Sequence, residues 1–245
     1  MLIKFDHIYK SFFSSKNETK VLDDISFEIN ENEIVSILGP SGCGKSTLLN
    51  IINSLIEPTE GTLTKNCKLG YMFQKDCLMP WRTIMKNITI GLEINKDHSK
   101  ESLDYAKKLI EKYQLNDFSY YYPNEISGGM KQRVALIRTL VLKPDLLLLD
   151  EPFSSLDAQT RLSVQEDVYN IIKEESKSAL IVTHDISEAL ALSDRIIILS
   201  SRPTKIKNIL PVEFKELKPM ERRSHPHFSK YYQELCKELN ILNQD

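Results

Sequence analysis

The segment GPSGCGKST (residues 39–47) carries the densest chemistry in the chain, standing between an apolar run, IVSIL (34–38), and a helical pattern, KSTLLNIINSL (45–55). In that strand, turn and helix setting, G-x-x-x-x-G-K-[ST] reads as a phosphate cradle. Gly39, Gly42 and Gly44 let the backbone turn its N–H groups inward and put no Cβ in the way of phosphate oxygens. Pro40, Ser41 and Cys43 complete the turn. Lys45 reaches β and γ phosphates, and the Ser46 hydroxyl is a hard oxygen ligand suited to Mg²⁺. Thr47 continues the helix, whose positive end favours the same anion.

Further chemistry follows. DLLLLDEP places Asp150 and Glu151 where an apolar strand ends and Pro152 forbids its continuation. Ligands of open α/β sheets bind at that edge, so Asp150 suits Mg²⁺ and Glu151 suits polarising an attacking water. His184, in IVTHDISEAL, follows another apolar run and falls on the same edge, as a phosphate contact or as an ordinary cap or packed ring. A second glycine-containing helix start, ISGGM with Ser127, Gly128 and Gly129, looks like another phosphate-binding terminus. A plain N-cap explains its serine but leaves two glycines without a reason.

The elements that must position these groups are legible as a pattern. Residues 34–38, 146–149, 179–183 and 195–199 are apolar without alternation, as strands covered on both faces are, and helical patterns separate them. The expectation is an α/β fold with a mostly parallel sheet. Residues 75–142 interrupt that order with Leu103, Ala106, Leu109, Ile110 and Tyr113 at helical spacing, predicting an inserted helical subdomain. The first thirty residues read as short antiparallel strands. A helix pattern through Phe228, Tyr231, Tyr232, Leu235 and Leu239 closes the tail. Lys205, Lys207, Lys215, Lys218, Arg222 and Arg223 read as a solvated basic surface or one lying near lipid headgroups.

A net charge of −2 argues against a nucleic-acid backbone as the main partner. Four widely spaced cysteines suggest neither a zinc knuckle nor a disulfide framework, and the amino terminus has no apolar targeting segment. Work at a membrane would therefore need another chain to span it. His225 and His227 lack a third ligand in sequence and read as solvent-facing.

Together, GPSGCGKST, Gln74 in YMFQKD, ISGGMKQR, LLLLDEP, SSLDAQTR and VTHDISEAL occur in the order found in ATP-binding cassette (ABC) transporter ATPases, and the chain resembles that family over nearly its whole length. The resemblance implies a P-loop NTPase (RecA-like) core with an antiparallel β subdomain at 1–74 and 143–205. It also implies a helical subdomain at 75–142 and a short C-terminal extension at 206–245. Two cassettes would pair head to tail as a homodimer, each ATP lying between the P-loop of one copy and Ser127, Gly128 and Gly129 of the other. Gln74 would sense Mg²⁺ or water, Asp157 would couple the two sites, and Phe12 would stack on adenine, with Phe13 and Tyr9 as competitors. Catalytic roles fall to Glu151, His184 and Gln74, metal contacts to Ser46, Gln74 and Asp150.

LMPWRTIMKNI (78–88) and DRIIILSSRPTKI (194–206) look like importer cassettes for nitrate, sulfonate, taurine, bicarbonate or pyrimidine precursors. Such a cassette works at the cytoplasmic face of the membrane, on permease subunits and indirectly with an extracytoplasmic solute-binding protein. Trp81 is a contact for that permease or a core residue. Ile126 departs from the family's usual leucine, and residues 61–74 are shorter than in this branch, implying a clipped hairpin. Alkylation of Cys43 is expected to inhibit, with ATP protecting. The rivals are a non-transport ABC ATPase and a small-molecule P-loop kinase.

Overall fold

Two sheets share the chain in the computed structural model, which describes residues 1–14 and 17–239. The first is built from β1 (Ile3–Phe13), β2 (Glu18–Ile29) and, after an interval, β4 (Glu60–Lys65), in the order β2-β1-β4 with antiparallel pairings throughout. The amino-terminal strands expected to be short are long ones. Buried side chains along them (Ile3, Phe5, Ile8; Leu22, Ile25, Phe27) fall on one side, and register shifts bend β1 where the spacing slips from two to three.

The second sheet begins with β3 (Ile34–Leu38), which feeds α1 (Lys45–Ile52) through the glycine-rich turn. β5 (Leu69–Met72) precedes the helical segment: α2 (Ile84–Ile88), α3 (Ile90–Ile94), α4 (Lys100–Lys112) and α5 (Gly128–Leu140). The chain then returns through β6 (Leu146–Asp150), α6 (Ala158–Glu174), β7 (Ser178–Thr183), α7 (Ile186–Leu192) and β8 (Arg195–Leu199). The tail adds β9 (Ile206–Pro211), α8 (Pro219–Arg223) and α9 (Phe228–Glu238). Strand order is β5-β6-β7-β3-β8-β9, parallel except for the antiparallel β8–β9 pair. The mostly apolar strands β3 and β7 are buried at every position, because one face packs against α5 and α6 and the other against α1 and the antiparallel sheet. β9 alternates half-buried and exposed positions as an edge strand does, and its polar residues hid it in the sequence.

Two expectations about the tail change. Arg222, expected on a solvated surface, has no exposed side chain. Its guanidinium donates to the carbonyls of Leu217 (2.8 Å), Ser193 (2.7 Å) and Lys215, and lies against the Tyr169 ring. Arg223 is also drawn in, donating to Ser187 Oγ (2.9 Å) and to Gln165 Oε1. Two arginines thus fasten α8 to α6 and α7. Residues 240–245 of the expected C-terminal extension lie outside the described residues.

Candidate active site

β3, β6 and β7 are neighbours and point the same way, so the turns after them meet at one sheet edge. This topology, rather than sequence proximity, gathers Lys45, Asp150, Glu151 and His184.

Behind β3 the turn is shaped by two left-handed glycines, Gly42 (φ 74°) and Gly44 (φ 118°), conformations that a side chain resists. At Gly42 an added Cβ would meet nothing within 4 Å, so this part of the loop borders open space. At Gly44 it would stand 3.0 Å from Val21 Cγ1, because β2 packs against the loop. Thr204 donates a hydrogen bond to the Cys43 carbonyl and pins the turn from behind. Lys45 is buried, and its ammonium donates to the carbonyls of Gly39 (2.7 Å) and Pro40 (3.1 Å). Ser46 is exposed at the start of α1.

Cys43 is 2% exposed, and burial pushes its thiol above the usual range. The thiolate is the reactive form. Burial and the raised thiol both work against the alkylation expected at Cys43, while Cys77 is exposed.

Glu151 follows the last residue of β6 with φ 44°, a left-handed conformation costing a residue with a Cβ about 1–2 kcal/mol. Its amide donates to the Val182 carbonyl at 2.8 Å, tying this bend to β7. Glu151 Oε1 lies 3.2 Å from His184 Nδ1, and Glu151 Oε2 accepts from Gln74 Nε2 at 3.2 Å. Gln74 also reaches Ser154 Oγ at 3.4 Å. Gln74 and His184, the other two residues assigned to catalysis, thus each meet the Glu151 carboxylate. Burial raises the Asp150 carboxyl above its ordinary range, while a hydrogen bond from the Tyr71 hydroxyl (3.1 Å) and the nearby Lys45 charge oppose that shift. Tyr71 was not among the residues singled out from sequence. Only its position three residues before Gln74, on the strand beside β6, could have pointed to it. Ser46, Asp150 and Gln74 offer hard oxygens of the kind Mg²⁺ takes.

Ser127 caps α5, its hydroxyl accepting from the Met130 amide at 3.3 Å, and remains exposed with Gly128. Gly129 is buried against α6, where a Cβ would stand 2.9 Å from Val164 Cγ2. Close helix packing therefore supplies a structural reason for the second glycine. A surface cleft of about 280 Å³ beside Ser127 is lined by Gly129, Met130, Arg133, Gln159, Thr160, Ser163 and Val164, with no P-loop residue among them. Asp157 caps α6 by accepting from the Thr160 amide at 3.0 Å. Phe12 is 43% exposed beside the Lys10 ammonium, Phe13 is 71% exposed and Tyr9 half-buried. Trp81 is 74% exposed, so it is no core residue.

A glycine turn leading into a helix at the carboxyl edge of a parallel sheet, with an acid pair ending the neighbouring strand, defines a P-loop nucleotide-binding protein of the α/β class. The ABC transporter family model matches residues 22–154. YtlC of Bacillus subtilis (strain 168), an uncharacterised ABC transporter ATP-binding protein, is 45% identical over 98% of this chain and 96% of its own length. SsuB of Bacillus cereus (strain ATCC 10987 / NRS 248), an aliphatic sulfonates import ATP-binding protein, is 42% identical over 86% of each chain. Among solved structures, the dimeric bacterial ABC transporter cassette MJ0796 matches with TM-score 0.72 and 31% identity, over 86% of this chain and 99% of that one. The same cassette in a post-hydrolysis state bound to ADP and Pi matches with TM-score 0.68. This chain belongs to the ABC transporter family and is one of its ATP-binding cassettes. No helix among the described residues is long and apolar enough to cross a membrane.

Proposed function

We propose that the chain is the MgATP-hydrolysing subunit of an importer, acting as a homodimer on separate permease subunits at the cytoplasmic face of the membrane. Its solute is a small molecule of the nitrate, sulfonate, taurine, bicarbonate or pyrimidine-precursor kind, delivered by an extracytoplasmic solute-binding protein. The sulfonate-import relative supports that branch. The observation that carries the reading is the contact of Gln74 and His184 with the two oxygens of Glu151 beside a P-loop.

Bound Mg²⁺, held by Ser46 and Asp150, would neutralise developing phosphate charge. The remaining work belongs to side chains and is positioning plus charge stabilisation. Glu151 accepts the proton of the attacking water. Gln74 and His184 fix that carboxylate from opposite oxygens, and Lys45 leaves the Gly39 and Pro40 carbonyls for the phosphates. Ser127, Gly128 and Gly129 complete the pocket of a second copy, as the dimeric MJ0796 cassette suggests. The exposed Ser127 hydroxyl and the separate cleft beside it suit a group arriving from outside. The helical segment 75–142, with Trp81 on its surface, is the part that grips the permease.

Glu151→Gln tests the reading. Hydrolysis should fall by about 10² to 10⁴, the range for loss of a general base, while ATP converts the variant to a dimer in light scattering. Near-normal turnover rejects the role of Glu151, and a protein that stays monomeric with ATP rejects the paired cassette.

A further inference from the structure

Asp150 ends β6 with a carboxylate that can rotate about its last torsion, since terminal carboxylate torsions have broad wells. A group meant to hold a cation or its water shell works best with that plane fixed. Among the described residues the Asp150 carboxylate accepts one side-chain hydrogen bond, from the Tyr71 hydroxyl to Oδ2 at 3.1 Å. Tyr71 stands on β5, which pairs in parallel with β6 through Tyr71↔Leu148 and Met72↔Leu149. That register brings the far end of the Tyr71 ring level with the end of β6. The ring is half-buried, packs on the apolar cluster under the sheet and meets Phe73 edge-on at 4.5 Å, so the hydroxyl has a defined place.

We propose that Tyr71 is a positioning residue for Asp150: its hydroxyl holds Oδ2 and leaves Oδ1 for Mg²⁺ or a water bound to it. β5 and its exit thereby serve both acids, Tyr71 through Asp150 and Gln74 through Glu151. The inference rests on the MgATP reading above and adds a residue to it. At 3.1 Å the contact is long for a hydrogen bond to a carboxylate, so its work is orientation and the effect of losing it is moderate.

The test uses the full chain, a fluorescent ATP analogue and a titration of Mg²⁺, with a parallel measurement in EDTA. Tyr71→Phe keeps the ring and removes the donor. It should raise the Mg²⁺ concentration for half-maximal effect about tenfold, the low end for loss of an outer-shell partner. Metal-free nucleotide affinity and melting temperature should stay as in the parent. Asp150→Asn should also weaken the Mg²⁺ response, and adding Tyr71→Phe to it should change nothing more. An unchanged Mg²⁺ midpoint in Tyr71→Phe overturns the proposal. So does an equal loss of metal-free affinity, which would mean a disturbed P-loop, or a further tenfold effect in the Asp150→Asn background. A parent protein whose nucleotide binding ignores Mg²⁺ overturns the MgATP reading itself, and that outcome is seen before any variant is made.

Discussion

Gly128 and Gly129 are adjacent, yet the space around them differs. A Cβ at 128 would meet Leu156 Cδ2 at 3.2 Å, the tip of a flexible side chain, whereas at 129 it would press on the stiff Val164 at 2.9 Å and on Thr160 at 3.2 Å. Overpacking costs about 1–3 kcal/mol, and alanine in a helix regains about 1 kcal/mol over glycine. Gly129→Ala should therefore lower the urea midpoint, and Gly128→Ala should leave it level or raise it. The reverse order would mean that α5 and α6 are not in close contact at this point. Sequence reading found the pair because the motif is compact, and gave both glycines to phosphate. It could not see that one of them, Gly129, is buried by a helix starting twenty-nine residues later. The same limit hid Tyr71 from Asp150: the phosphate motif is local, whereas this contact spans the helical segment.

At the scale of elements, the parallel strands were legible because burial on both faces leaves them mostly apolar and without alternation, with only Ser36 in β3 and Ser178 and Thr183 at the ends of β7 as polar residues. The tail was not. PMERR, the sequence of α8, is charged in three of five places, and charge normally marks solvent. Burial of Arg222 is possible because three carbonyls, the Tyr169 ring and hydroxyl, and the Asp194 carboxylate at 3.9 Å converge on it from α6, the end of α7 and the turn before α8. Arg222→Met keeps much of the apolar stem but orphans those carbonyls. The loss should be about 3 kcal/mol, from breaking buried hydrogen bonds to a charged group. In a chain of this size that corresponds to a melting point lower by about 6–12 °C. A shift under about 2 °C would show that α8 is an appendage, and not part of the layer that supports α7 and the His184 turn.

For the whole molecule, the sheet edge that gathers the active groups is backed by a buried acid. Glu188, in the first turn of α7, is 4% exposed and its carboxyl is pushed up to about 8, first by burial and then by Asp185. Thr183, Arg161 and Arg223 oppose that shift, and Gln165 Nε2 donates to Oε2 at 3.5 Å. Arg161 and Arg223 approach from α6 and α8, so the groups bearing on Glu188 come from three elements joined by folding. In the unfolded chain the carboxyl returns to its ordinary value of 4.5. Between pH 4.5 and about 8 the folded protein then holds a proton that the unfolded chain has lost, so stability falls as pH rises through that window. The slope for one fully linked proton is about 1.4 kcal/mol per pH unit. Glu188→Gln keeps the shape and cannot ionise. Its stability relative to the parent should therefore rise steadily from pH 5.5 to 8.5 in urea titrations, levelling off above about pH 8, where the parent carboxylate is charged in both states. Because both proteins share every other titrating group, the difference isolates this one. A constant difference across that range would mean that Glu188 is already ionised at pH 5.5, with Arg161 and Arg223 outweighing its burial.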